Sequence, residues 1–482
     1  MNDQCADRIS NILTLSSTLK QIEFVGCGFP NRKKLQDVVH SLLYNNKTTT
    51  HISFYKNHSR RNTFINGRHD YVFTPLNKDI PNVGDNPATY LRLAGPDPKY
   101  CNQYTPPGNL VPKTGQPLSG AFQKFRNLVH LLLDAHLLVR NNSIILNEAI
   151  KYCPKLVNLI VTNNGEIPQM MCLFDNTNII EEERSSVPVS SGSISTTDNA
   201  YIHPKKEQEQ KGEGLQKLIL ANKDIQLGRD TSTTLFKKVH TTLELLYLQC
   251  ILAKPNCDKI FRNDLPSYEW PNLRELYLSF NILLLDPPKL NIISTTLATS
   301  QQYQQSFCNL FTRCHGLEAI TINNCNIGKD SQLKVDDAVL KSIALNCPKI
   351  RYFRVLDNDC YHTPDGILRF ATMGAFHLTD LEINMVREAL LQVVIKIKTL
   401  KRLDLRSNTS DTINSKKKVD RYTTNSFYKM LDNMPGSEDD ENDMYSSLTG
   451  DLKAVKFLLD TRWQDAPYSY FHKYSQKYTF PI

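Results

Sequence analysis

The stretch LRELYLSFN, residues 273–281, sets Leu273, Leu276 and Leu278 at offsets zero, three and five and closes on Asn281 at offset eight. The alternation of Leu276 and Leu278 is that of a strand with one face buried. The same spacing returns at Leu400, with Leu403, Leu405 and Asn408, and at Leu317, with Ile320, Ile322 and Cys325. Further registers open at Leu19, Thr49, Leu128, Leu156, Leu215, Leu243, Ile350 and Leu378. The offset-eight column tests this alignment, because only apolar positions were used to make it. It holds Cys27, Asn57, Asn164, Asn281, Cys325, Asn358 and Asn408, where the 41 Asn and 12 Cys of the chain would fill about one place by chance. A small polar side chain at the end of a short strand can bond backbone groups of neighbouring coils, so these seven are expected to form a structural ladder.

Between the strands the apolar period lengthens to that of a helix. DDAVLKSIALN from Asp336 carries Val339, Leu340 and Ile343 on one stripe, with acids in its first turn. NRKKLQDVVHSLLYNN from Asn31, TPDGILRFATMGAF from Thr363 and REALLQVVIKIKT from Arg387 are comparable. Strand, turn and helix in each unit form the leucine-rich-repeat pattern. The expected fold is therefore an α/β solenoid, a ribonuclease-inhibitor-like horseshoe with strands on its concave side, irregular repeats and long insertions.

The repeats are expected over residues 1–410, with insertions at about 58–120, 174–214 and 284–306. The first insertion contains YLRLAG, a candidate degenerate unit, and the third continues as a Gln-rich helix candidate. The second has few core formers and reads as disordered. Residues 411–482 form a capping segment and tail, with a basic run at Lys416–Lys418, five acids within Glu438–Asp443, and aromatic residues towards the end.

Composition narrows the class further. Of 482 residues, 40% are hydrophobic and 22% charged, which is globular, and a net charge of +8 over this length calls for neither nucleic acid nor a membrane. Twelve cysteines are far too few for a disulfide scaffold. The N-terminus, MNDQCADRIS, lacks the basic flank and apolar run of a signal peptide. The expected compartment is cytoplasmic or nuclear, with thiols reduced.

YCPKLVNLIV around Cys153 and NCPKIRYFRV around Cys347 both place Cys-Pro directly before a strand. With the helix-start pattern at Thr363-Pro-Asp-Gly-Ile, they resemble the cysteine-containing repeats of the F-box/leucine-rich-repeat proteins, the substrate receptors of SCF-type ubiquitin ligases. The resemblance spans about residues 19–408 and implies a protein-interaction scaffold for substrate recognition. It would also imply an F-box docking the SCF adaptor ahead of the repeats. Only a short stretch containing DRISNILTLSS precedes Leu19, so that element is not expected in this chain.

No catalytic chemistry is expected. Cys250, Cys257, Cys308 and Cys314 lack paired metal-ligand spacing, no HExxH occurs, and Gly26 belongs to no phosphate loop. Cys27, Cys153, Cys325 and Cys347 read as structural thiols. Asp357, Asp359, Cys360 and His362 crowd into DNDCYH but read as loop residues rather than a nucleophile and base. No metal and no cofactor are called for. The acidic run also resembles the tail of GTPase-activating proteins of the nuclear transport GTPase, an alternative regulatory reading that stands beside a binding solenoid unrelated to ubiquitin.

The strand period locates the binding surface. With offsets three and five inward, offset four faces the concave side. That column reads Glu23, Ser53, Leu132, Ile160, Ile219, Tyr247, Tyr277, Thr321, Arg354, Glu382 and Asp404, with Leu245 and Tyr352 in the next outward column. A protein or peptide ligand is expected on Leu132, Ile160, Ile219, Leu245, Tyr247, Tyr277, Tyr352 and Arg354, with Glu382 and Asp404 favouring a basic group at one end. The competing reading is that an insertion or the aromatic tail covers this face.

Overall fold

The computed structural model describes residues 2–29, 32–56, 58–59, 85–96, 122–134, 144–162, 214–221, 229–251, 264–281, 296–326, 335–355, 361–374, 376–383, 387–400 and 402–405. They fall into two compact units, Met1–Asn256 and Cys257–Ile482. Both are α/β, built on parallel strands.

In the first unit, β1 (Gln21–Val25) is followed by the two-residue β2 (Gly28–Phe29), then β3 (His51–Lys56) and the two-residue β4 (His58–Ser59). Next come β5 (Tyr90–Pro96), β6 (His130–Asp134), β7 (Asn158–Thr162), β8 (Lys217–Ala221) and β9 (Leu245–Ile251). The order β1-β3-β5-β6-β7-β8-β9 is parallel throughout, and β2 pairs with β4 beside it. In the second unit β10 (Glu275–Asn281), β11 (Ala319–Asn326), β12 (Tyr352–Val355), β13 (Asp380–Ile383) and β14 (Arg402–Leu405) pair in chain order, again parallel. Parallel neighbours in sequence order mean one strand per coil.

Each of the eleven registers marks a strand, which begins two residues after the register opens. The twelfth, β5, is the unit suspected at YLRLAG, so the stretch expected as one insertion at 58–120 holds a strand of the sheet. Apart from Gly214, the insertion at 174–214 lies outside the described residues, as does the chain from 406 onward. Helix Thr296–Phe311 begins within the third insertion, where the Gln-rich pattern placed it.

Helices form where caps and apolar stripes coincide. Asp336 accepts a bond from the Val339 N–H at 3.0 Å and opens helix Asp337–Asn346, whose buried stripe is Val339, Leu340, Ile343 and Ala344. Thr363 caps helix Pro364–Met373 through the Gly366 N–H at 3.0 Å, with Pro364 in the first turn. The Asp337 carboxylate ties the two starts together, accepting from Thr363 N–H at 2.8 Å and Thr363 Oγ1 at 2.7 Å. Phe353 of β12 lies 5.4 Å from the Phe370 ring, so the offset-three side chains face the helices. Helix Asp3–Leu15 was not foreseen. Its cap is Asn2, which accepts from Cys5 N–H, and its buried residues are Ala6 and Leu13.

The coils are joined by a backbone ladder. The Lys20 carbonyl accepts two N–H groups from the next coil, Thr50 at 2.8 Å and His51 at 3.0 Å. The same double acceptance recurs at Thr50, Thr89, Val129, Val157 and Gln216, and in the second unit at Arg274, Glu318 and Arg351. Threonines reinforce it: Thr50, Thr89 and Thr379 each donate their hydroxyl to the same carbonyl of the preceding coil. Of the expected Asn/Cys ladder, Asn57, Asn164, Asn358 and Asn408 lie outside the described residues. Asn281 closes β10 and Cys325 lies in β11, next to a register shift between Ser279 and Asn281, but their side chains are not described. Cys27 is half-buried, with its Sγ 3.7 Å from the Val25 carbonyl it faces as donor.

The turn into each strand carries its own repeated position. Leu156, Leu273, Leu317 and Ile350 donate their N–H to the carbonyl three residues earlier, on Cys153, Trp270, Cys314 and Cys347. All four of these acceptor residues are buried. Cys314 and Trp270 therefore share the position at which Cys153 and Cys347 were recognised. The Cys347 thiol faces the Cys314 carbonyl of the preceding coil at 3.7 Å.

Candidate functional site

The pairing registers carry the offset-four column across each unit. In the first it runs Glu23, Ser53, Arg92, Leu132, Ile160, Ile219 and Tyr247. In the second it runs Tyr277, Thr321, Arg354, Glu382 and Asp404. Alignment was thus legible from the sequence, but exposure was not. Leu132, Ile160, Ile219, Leu245, Tyr247 and Tyr277 were expected to meet solvent, and all are buried, the two tyrosines at 4% and 3% exposure. Every residue of β7 is buried, and so are the described side chains of β10. Strands covered on both faces read as near-continuous apolar runs, as NLIVT of β7 and LLYL of β9 do, and that signal outweighed the alternation. The tyrosines are tethered as well as buried: Tyr247 donates to Gln249 Oε1 at 3.3 Å, and Tyr277 accepts from Asn323 Nδ2 at 3.0 Å. These six residues are core, not contact surface.

Accessible polar chemistry on this face lies elsewhere. In the second unit Arg354 and Glu382 pair at 3.4 Å on adjacent strands, both partly exposed, and Tyr352 is half-buried beside them. Asp380 occupies the position next to Tyr352 and accepts from Thr379 Oγ1 at 2.8 Å. Asp404 is in register with Glu382, though its side chain is not described.

In the first unit the offset-two column forms a polar and aromatic row. His51 approaches Glu23 at 3.2 Å and stacks on Tyr90 with ring centres 4.0 Å apart and planes 3° from parallel. His130 and Asn158 follow, their Nδ1 and Nδ2 atoms 2.7 Å apart, and the Arg92 guanidinium stands 3.9 Å over the Tyr55 ring. Asn158 Oδ1 and Thr162 Oγ1 are buried on the same strand with no hydrogen-bond partner. Sequence reasoning followed this column only at Leu245 and Tyr352 and missed the row in the first unit, in part because β5, which supplies Tyr90, sat inside a presumed insertion.

Four of the described thiols are held protonated by burial. Burial pushes Cys153 and Cys347 up to about 12 and Cys308 up to about 11, and it raises Cys314 well above the ordinary thiol value. Among the described residues no three His, Cys, Asp or Glu side chains cluster as metal ligands, and no helix is long and apolar enough to cross a membrane. Asp357, Asp359 and Cys360 of DNDCYH lie outside the described residues, while His362 is buried.

His362 also makes a pH prediction. Burial lowers its pKa, against the opposing pull of Asp337 and a hydrogen bond to the Val335 backbone. His51 is lowered by burial too, and Arg92 pulls the same way while Glu23 opposes. A histidine lowered in the folded state binds fewer protons there than in the unfolded chain. Its stabilising contribution is complete above about pH 6.5 and is lost as pH falls through the lower folded value. Melting temperature should therefore fall on acidification below pH 6.5, with a slope of at most about 1.4 kcal/mol per pH unit from each group. His362→Gln should flatten that slope; an unchanged acid limb would show that His362 does not cause it.

No protein-family model matches the chain, and no curated protein matches it in sequence.

Proposed function

We propose that the chain is a leucine-rich-repeat scaffold that binds a protein partner, in the manner of the substrate receptors of SCF-type ubiquitin ligases. The observation that carries the reading is the repeat itself. Strands begin two residues after every expected register, and the pairing holds the offset-four column in line across each unit. A parallel frame of this kind presents side chains from many coils at fixed spacing, which suits recognition of an extended surface.

The contact residues of this reading are Tyr352, Arg354 and Glu382, which keep some exposure where Tyr247 and Tyr277 do not. The ubiquitin assignment rests on the Cys-Pro turns at Cys153 and Cys347. Affinity purification of the full chain from cells, with the ligase blocked so that substrates persist, tests both parts. A bound partner should be lost at least tenfold on Tyr352→Ala with Arg354→Ala, with the melting temperature within about 5 °C of wild type. Partner capture without the SCF adaptor would remove the ubiquitin assignment and leave the scaffold. Capture indifferent to both substitutions would remove this face as the binding site.

A further inference from the structure

The helical side of the second unit carries a pattern that the sheet face does not explain. Leu345, Met373 and Ile395 each stand seven residues ahead of the strand that follows, β12, β13 and β14, at the C-terminal ends of helices Asp337–Asn346, Pro364–Met373 and Arg387–Lys396. All three are exposed, at 55%, 43% and 45%, and Phe376 in the next turn is 64% exposed. Scattered exposed apolar residues need no explanation, but the same position in three consecutive coils is not scatter. The ends are close. A Cβ on Gly374 would lie 2.2 Å from the Ala344 carbonyl oxygen, so the backbones at the ends of these two helices approach closely. The Phe376 turn is held from the next coil, where Thr399 Oγ1 donates to the Phe376 and Leu378 carbonyls at 3.3 and 2.7 Å.

From the last turns of each helix to the strand that follows, the charges along the chain are of one sign. Lys341 and Arg369 stand eleven residues ahead of their strands, and Lys349 and His377 three residues ahead; Lys396 and Lys398 complete the rim. All six are exposed, and none is in an ion pair. By contrast Arg274, Arg313, Arg351 and Arg354 of the same unit each face a glutamate. No Asp or Glu occurs between residues 341 and 351, 366 and 379, or 389 and 400. Complementing the helix dipoles accounts for cations at helix C-termini. It does not account for apolar side chains set among them.

We propose that this strip is a second docking surface, for an acidic segment of a partner protein that presents apolar side chains between its carboxylates. Unpaired cations on both sides of an apolar line select for that chemistry: carboxylates neutralise the rim while the apolar side chains cover the strip. The rim steers the encounter and the strip supplies the dehydrated centre, so affinity should fall with salt and also with loss of Phe376. The surface is separate from the sheet face, and either can fail alone.

The test uses the full chain and a fluorescent 18-residue peptide of alternating Glu and Leu blocks at helical spacing, with its Glu→Lys counterpart as control. The acidic peptide should bind, and the basic one should not. Lys341→Glu with Arg369→Glu should weaken binding at least tenfold, and so should Phe376→Ser, which leaves every charge in place. Unchanged circular dichroism and melting would show that the fold persists. Equal binding of both peptides, or indifference to Phe376→Ser, overturns the proposal. So does binding that appears only after residues 411–482 are deleted, because the acidic run at 438–443 would then be the occupant. Concentration-dependent dimerisation of the full chain that Phe376→Ser abolishes would overturn it in favour of a second copy.

Discussion

Trp270→Ala should destabilise the unit Cys257–Ile482 by about 3–5 kcal/mol, the usual cost of emptying a large aromatic site. Trp270 is fully buried in the turn before β10. Three bonds converge on it. Its Nε1–H donates to the Leu265 carbonyl at 2.9 Å, its backbone N–H donates to the Arg313 carbonyl at 2.9 Å, and its own carbonyl accepts from Leu273 N–H. Truncation would remove the ring and leave the Leu265 carbonyl without its donor. Trp270→Phe separates the two effects, since it keeps much of the volume but loses the ring N–H, and should cost about 1–3 kcal/mol. Urea denaturation followed by far-ultraviolet circular dichroism would check both. Equal, small losses would mean that the site collapses around the missing ring.

Leu276→Ala and Leu403→Ala should each cost about 2–5 kcal/mol. Both side chains are at 1% exposure, at offset three of β10 and β14. The spread depends on how far neighbours relax into the space. Leu276 is in register with Ile320, itself flanked by Phe353, so apolar side chains continue on its β11 side and little relaxation is expected. Leu403 lies on β14, the last described strand of its unit, where one pairing neighbour is Leu381. Its cost should therefore fall in the lower half of the range. The two substitutions sit on different strands with no shared partner and should add within about 0.5 kcal/mol. If neither changes the denaturation midpoint, the inward assignment of offset three is wrong.

Strand position was legible because it depends on spacing, and spacing survives in the chain. A buried strand needs apolar residues two apart. The turn before it carries a buried residue five positions ahead of the strand, as Cys153, Trp270, Cys314 and Cys347 show. The helices at Asp337, Pro364 and Arg387 were legible for a similar local reason, having caps or charged first turns followed by a stripe of the right period. β5 was obscured because residues 58–84 and 97–120 surround it with Pro-, Gly- and Asn-rich sequence.

The ladder shows the boundary of local reasoning. Double acceptance at the Lys20, Thr50 and Val129 carbonyls involves backbone groups that every residue carries, so no side-chain pattern announces it. Among the described residues, the threonines at 50, 89 and 379 mark it with their side chains.

Two things this protein's sequence determined by itself: where its strands begin, and which side chains share a column. Both follow from residue spacing along one chain. Which face of the sheet meets water was decided only in three dimensions. Tyr247, Tyr277 and Ile160 sit at outward positions of the repeat and are buried nonetheless. Glu382, at the same offset, keeps part of its surface while paired with Arg354. The side-chain period states which residues lie together; it cannot state what lies over them. Burial depends on the surroundings of each side chain in the folded protein, and there the apolar column that resembled a binding patch belongs to the core.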